Sequence, residues 1–182
     1  MTYRVWNGSG WNDVPVPAMD GEPLIVPNVA ALVRSESGES ILLQRRDKPN
    51  EPVRGKLEIP GGRWGAGESP EVAVAREVLE ETGVSIIAPP ELDRIDMAEY
   101  RVCAVAQGVT AVVGLEGCYP SLHVMFECVG RGRPRPQPGE TADPRWWPIS
   151  EVRELLERQP DSFVDQTRAM LTTYFGISVA TI

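Results

Sequence analysis

The segment from Gly62 to Val84, GRWGAGESPEVAVAREVLEETGV, constrains this chain more than any other part of it. It sets Glu77, Glu80 and Glu81 at relative positions i, i+3 and i+4 of a stretch that reads as a helix. At about 100° per residue these carboxylates fall within an arc of ~100°. Like charges at this spacing repel and weaken a helix. A hard divalent cation, Mg²⁺ or Mn²⁺, takes oxygen ligands from such groups and would offset the repulsion. An acidic helix face is more often plain solvated surface. The glycines, Glu68 and Arg76 at set offsets favour the cation instead.

The flanking residues predict a helix over residues 70–82. Ser69 is suited to the N-cap and Pro70 to the first helical position, where its missing N–H costs nothing. Glu71 favours the first turn, and Gly83 can end the helix in a left-handed conformation. Val72, Ala75, Val78 and Leu79 are expected to form an apolar face opposite the glutamates. Pro60-Gly61-Gly62 and Gly65-Ala66-Gly67 give a backbone free to bend closely around a ligand.

Written as a pattern, the segment is G-x(5)-E-x(7)-R-E-U-x-E-E-x-G-U, with U a bulky aliphatic. Gly62, Glu68, Arg76, Glu77, Val78, Glu80, Glu81, Gly83 and Val84 fill every specified position. This resembles the Nudix box, and the likeness extends less sharply over residues 26–158. The approach through Glu58, Pro60 and Gly61 resembles the strand and turn that precede the box in that family. Pro144 to Ile149, followed by Glu151, resembles its closing strand and helix.

The resemblance implies a Nudix-type α/β/α sandwich with a mixed β-sheet. It implies hydrolysis of a nucleoside diphosphate linked to another group, X, with a divalent metal. Glu77 and Glu81 would chiefly hold the ion, commonly with Glu80 and the carbonyl of Gly61. Either Glu77 or Glu80 would take the proton from the attacking water. Arg76 would pair with Glu68 and hold loop against helix.

The substrate is read more coarsely. A MutT-like nucleoside triphosphate pyrophosphohydrolase is the broadest expectation, with ADP-ribose and dinucleoside polyphosphates behind it. Tyr100 lies sixteen positions past Val84, resembling a tyrosine of diadenosine polyphosphate hydrolases. Arg45 and Arg46 end a strand and should point to opposite faces, so that one can meet a phosphate. Trp64 is placed to stack on a base. Glu58 could reach the metal region from its strand, with a salt bridge to a neighbour slightly favoured, and Glu140 and Asp143 lie in a loop that could supply a further acid. Trp146 and Trp147 should alternate between core and surface. A non-hydrolytic regulatory module would be expected to lose box glutamates, and none is lost. An isomerase on this scaffold would need several histidine ligands, whereas the chain has one histidine, His123.

Composition narrows the partners. The net charge is −8 and no basic patch is evident, which argues against a nucleic-acid polymer. A small nucleotide is not excluded, because a bound cation reverses the local sign. Three cysteines, Cys103, Cys118 and Cys128, show no CxxC spacing and suggest buried thiols in a reducing cytoplasm. No apolar run approaches ~18 residues, so no membrane span is expected. The 182 residues suffice for one domain, read as an extension over residues 1–25 and a catalytic domain over residues 26–182. The extension is rich in Gly, Pro and aromatics, and its candidate roles are a homodimer contact or a substrate wall. Strands are expected at residues 3–6, 29–33, 41–44, 86–88, 100–106, 109–113 and 123–129, with closing helices at 151–158 and 162–174.

Overall fold

A computed structural model describes residues 2–15, 18–20, 22–95, 103–106, 110–114, 116–117 and 120–178. Tyr100, Cys118 and the side chain of Cys103 lie outside the described residues.

The centre of the molecule is an eight-stranded mixed sheet. Its strands are β1 (Val26–Arg34), β2 (Ser40–Arg46), β3 (Leu57–Glu58), β4 (Gly61–Arg63), β5 (Ser85–Ala88), β6 (Thr110–Gly114), β7 (Ser121–Arg131) and β8 (Thr141–Pro148). The spatial order is β6-β7-β1-β2-β8, with β3 on β2, β4 on β1 and β5 on β7. β7 and β1 run parallel through a long register that sets His123 beside Asn28 and Cys128 beside Val33. On its other side β1 receives β4, with Asn28 beside Arg63 and Ala30 beside Gly61.

β1 and β2 are apolar on both faces because both faces are covered. On one face Ala30, Leu32, Ile41, Leu43 and Trp147 pack with Val152 and Leu156 of α2 (Ile149–Arg158) and Met170 and Leu171 of α3 (Asp165–Phe175). On the other, Val29, Ala31, Val33 and Leu42 pack with Ala73, Val74 and Val78 of α1 (Pro70–Thr82). The result is the expected α/β/α sandwich. Trp146 and Trp147 do alternate, but into two cores: Trp147 joins the first cluster and Trp146 packs against the second. Trp147 is buried, whereas Trp146 is half-buried and its Nε1 donates to the Gly132 carbonyl at the surface.

The predicted span of α1 is correct and its predicted buried face is not. Val72 and Leu79 are 55% and 52% exposed, whereas Glu81 is 5% exposed. The apolar contact to the sheet is made by Ala73, Val74 and Val78. Around the helix these residues flank the line that carries Glu77 and Glu81. The helix therefore lays Glu77 and Glu81 toward the body of the protein and leaves Glu80 exposed.

The closing helical segment is divided. A short 3₁₀ turn spans Pro160–Ser162 and α3 begins only at Asp165. Between them Phe163 bridges to Leu57, and the Val164 N–H donates to the Leu57 carbonyl. Pairing with a sheet edge overrides local helical preference there.

The N-terminal segment is a hairpin of Thr2–Trp6 with Trp11–Pro15. Thr2–Trp6 also pairs in parallel with Glu116–Gly117, which sets Arg4 beside Glu116 and Val5 beside Gly117. A second small pair joins Leu92–Ile95 to Cys103–Ala106. Cys128 is a buried free thiol whose pKa burial pushes up to about 12. Among the described residues no helix is long and apolar enough to cross a membrane.

Candidate active site

The site begins with how α1 is tied to the loop before it. Ser69 takes the extended N-cap conformation, but its side chain makes no capping bond. At the other end Gly83 is left-handed (φ 66°) and its N–H donates to the Leu79 carbonyl. Between these ends Arg76 clamps four groups. Its Nε and Nη2 donate to Glu68 Oε1 and Oε2 at 2.8 and 2.9 Å, a two-point fork. Nη2 also reaches the Arg63 carbonyl at 3.0 Å. Nη1 reaches Glu77 Oε1 at 2.6 Å and Glu80 Oε2 at 3.3 Å. Glu68 accepts a further bond from the Gly65 N–H at 2.9 Å. Arg76 and then the Gly65 amide hold the Glu68 carboxyl down at about 2. The guanidinium is itself held above its ordinary value by Glu68 and Glu77.

Glu81 points inward. Its Oε2 accepts from Gln44 Nε2 at 2.7 Å and from the Gly61 N–H at 3.0 Å. Gln44 Nε2 also lies 3.4 Å from Glu58 Oε1. Glu58 Oε2 stands 3.8 Å from Arg46 Nη1, and Arg46 forks onto Glu51 at 2.6 and 3.0 Å. The expected salt bridge of Glu58 is thus a loose one to Arg46. Burial alone would lower Arg46, but the bond to Glu51 and the charges of Glu58, Glu51 and Glu81 outweigh it and keep it firmly cationic.

Burial dominates the acids. It raises Glu81 to about 8, with the Glu58 charge adding and the Gly61 and Gln44 bonds opposing. Glu58 rises to about 7 by burial, against Arg46 and Gln44. Glu77 is also raised by burial, with Arg76 opposing. Three carboxyls held upward by desolvation on one cavity wall make it a candidate functional site.

These groups line a cavity of about 590 Å³. Glu58, Glu77, Glu81, Gly61 and Gly62 form one wall, and Arg46, Lys48 and Glu51 form the rim beside it. Trp11, Asn28, Ser121 and His123 line it farther across the sheet. Glu140 also reaches the cavity and pairs with Lys48 at 3.1 Å.

The predicted residues are not all brought together. Among the described residues no three acidic, histidine or cysteine side chains converge closely enough to cage a cation. Arg76 draws Glu77 and Glu80 to its own Nη1, while Gly61 and Gln44 turn Glu81 the other way. Common helix spacing brought the three carboxylates to one region and local bonds separated them. Arg46 faces the cavity. Arg45 faces away, donating to the Gly55 carbonyl at 2.8 Å and lying 3.9 Å from Asp143. Trp64 is not among the cavity-lining residues. Its Nε1 donates to the Glu68 carbonyl and its ring meets Phe126 edge-on at 6.4 Å. The box-loop tryptophan is a packing residue in this arrangement.

Sequence reasoning missed Gln44, which bridges Glu81 and Glu58 and is fully buried. Its signal is an amide that continues the apolar run Ile41-Leu42-Leu43. Asn28, 2% exposed, was missed for the same reason.

The residues present suit a divalent cation. Glu77 and Glu81 are oxygen donors on one wall, and among the described residues Glu81 has no ion-pair partner. The buried Gln44 Oε1 beside them has no hydrogen-bond partner. The Glu77 carboxylate occupies the space that a side chain on Gly62 would fill.

Comparison with known proteins agrees with this geometry. The NUDIX domain family matches residues 24–167. A MutT-like protein of Streptomyces ambofaciens is 30% identical over 134 residues, 74% of this chain and 71% of that protein. An 8-oxo-dGTP diphosphatase of Escherichia coli is 35% identical over 70 residues, which cover 38% of this chain and half of that enzyme. The crystal structure of a MutT protein from Methanosarcina mazei Go1 superposes with a TM-score of 0.59, at 24% identity, over 84% of this chain and 94% of that one. The chain belongs to the Nudix hydrolase family, and MutT-like proteins are among its relatives.

Proposed function

We propose that this protein is a Mg²⁺- or Mn²⁺-dependent pyrophosphohydrolase that cleaves a nucleoside triphosphate to the monophosphate and pyrophosphate. The observation that carries the reading is the buried carboxylate of Glu81, which has no ion-pair partner among the described residues, on the cavity wall beside Gly61 and Glu77. A buried carboxylate without a cation is costly to ionise, and a bound cation removes that cost. Glu77 and Glu81, with Glu80 and Gly61, would hold the ion. When bound, it supplies charge neutralisation on the phosphoryl oxygens during in-line attack by water.

The chain's own residues do the rest. Arg76 positions Glu77 and Glu80 and ties the loop at Glu68 to the helix. Gln44 and the Gly61 amide orient Glu81. Arg46 and Lys48 on the cavity rim, now paired with Glu51 and Glu140, are the cations that would turn to phosphate charge. Glu77 or Glu80 accepts the proton of the attacking water. The partial match to an 8-oxo-dGTP diphosphatase supports a nucleoside triphosphate as the substrate, with ADP-ribose and dinucleoside polyphosphates next. The buried thiol of Cys128 is compatible with a reducing, cytoplasmic setting.

The test is product analysis with Mg²⁺ against nucleoside triphosphates, ADP-ribose and dinucleoside polyphosphates. Monophosphate plus pyrophosphate from a triphosphate supports the reading. Release of orthophosphate alone, or turnover confined to other members of the panel, contradicts it.

A further inference from the structure

We propose that Trp11, Asn28, Ser121 and His123 form a subsite for the planar base of the nucleotide, with Trp11 as its stacking surface. This rests on the reading of the chain as a nucleotide hydrolase and adds which end of the cavity takes the base.

The sheet register fixes the distance. Gly61, which bonds Glu81, sits beside Ala30 on one side of β1. His123 sits beside Asn28 on the other side, two residues back along the strand. Two strand spacings and two residues separate the carboxylate wall from His123 by on the order of 10–12 Å. That is room for a ribose between the phosphates and a base. Arg63, beside Asn28 on the β4 side, also lines the cavity between these ends.

Asn28, Ser121 and His123 at the far end are neutral, with Arg63 beside Asn28 and Arg4 over Trp11 as the cations near them. His123 Nε2 and Ser121 Oγ share a hydrogen bond of 3.0 Å. Burial holds the His123 imidazole below its ordinary pKa, so it is uncharged at neutral pH. Asn28 is buried, and its Nδ2 donates to the Val26 carbonyl at 3.0 Å. An amide, a hydroxyl and a neutral imidazole offer donors and acceptors to a heterocycle edge.

Trp11 supplies the ring. It lines the cavity while 37% exposed, and the Arg4 guanidinium lies 5.3 Å from its ring centroid. The hairpin that carries it is anchored to Glu116–Gly117, just ahead of Ser121 in the chain. The N-terminal segment thus reaches the same end of the sheet as Ser121 and His123. Stacking of a base on an aromatic ring is sequence-tolerant and strong enough to shift affinity by on the order of 10-fold or more.

The test compares wild type, Trp11→Ala and Trp11→Phe on deoxyguanosine triphosphate and on ribose 5-triphosphate, which lacks a base. The ratio of the two kcat/KM values should fall about 10-fold in Trp11→Ala, through KM for the nucleotide, and recover in Trp11→Phe. In parallel, guanosine monophosphate should quench tryptophan fluorescence in wild type, and the quench should shrink in Trp11→Phe. An unchanged ratio with an unchanged quench overturns the subsite and leaves the hydrolase reading standing. If neither triphosphate is cleaved, the hydrolase reading fails, and the quench alone decides the subsite: its loss in Trp11→Phe supports it and its persistence overturns it.

Discussion

The carboxylate of Glu77 lies where a side chain on Gly62 would have to be. A β-carbon built at Gly62 would stand 2.6 Å from Glu77 Cδ and 2.8 Å from Oε1. The box glycine and the box glutamate, fifteen residues apart in the sequence, form one packing unit: strand β4 leaves a gap and helix α1 fills it with an acid.

Gly62→Ala should therefore damage activity more than stability. The obstructing atoms belong to the end of a flexible side chain, which can move and leave the fold intact. Displacing a reacting group by about 1 Å can cost ~100-fold in rate. Steady-state kinetics beside thermal melting would check this, with a large fall in kcat and a small fall in Tm.

Arg76→Lys should lower kcat by about 10- to 100-fold, the usual scale for residues that orient metal ligands. Lysine keeps the charge but lacks the fork that reaches Glu68, Glu77 and the Arg63 carbonyl together. The measurement is kcat and KM with saturating Mg²⁺. A change confined to KM would assign Arg76 to substrate binding instead.

The metal-free protein should lose stability as pH rises. Glu81 and Glu58 have ordinary values of 4.5 and stand at about 8 and about 7 in the fold. Between about pH 4.5 and 8 the native state binds more protons than the unfolded chain, so unfolding free energy falls with pH across that window. Glu68 has the opposite sign: held at about 2, it contributes above its ordinary value and its contribution is lost as pH falls toward 2. Melting with and without Mg²⁺ from pH 5 to 8.5 should show a declining Tm that the cation flattens or reverses.

Removing the Gln44 amide should act on Glu81 at a distance from any substrate. Gln44→Leu deletes the 2.7 Å bond that opposes the raised pKa of Glu81. The acidic limb of the pH–rate profile should move to higher pH, and a profile unchanged in shape would contradict this role.

How much of this was readable beforehand depends on range. The ends of α1 followed from Ser69, Pro70 and Gly83, which act within one turn. Its buried face did not, because Val72 and Leu79 compete with Ala73, Val74 and Val78 as an apolar stripe, and only packing on β1 and β4 chooses between them. The box identified the glutamates, but spacing along one helix carries nothing about Arg76 drawing two of them aside or Gln44 holding the third. Arg45 and Arg46 were separable by alternation, although which one faced the cavity needed the partner strands. Trp11 lay in a segment without periodicity, and its place at the cavity came from the pairing of its hairpin with Glu116–Gly117.

The central claim is that Glu81 serves chemistry at the expense of stability. The most direct measurement is Glu81→Gln against wild type, with pyrophosphate release in Mg²⁺ and melting without metal at pH 7.5. The variant should lose activity by about 100-fold or more, the scale of removing one transition-state charge contact. It should also melt higher, since each kcal/mol of relieved charge burial raises Tm by about 2–4 °C in a chain of this size. A variant that retains wild-type turnover would contradict the account.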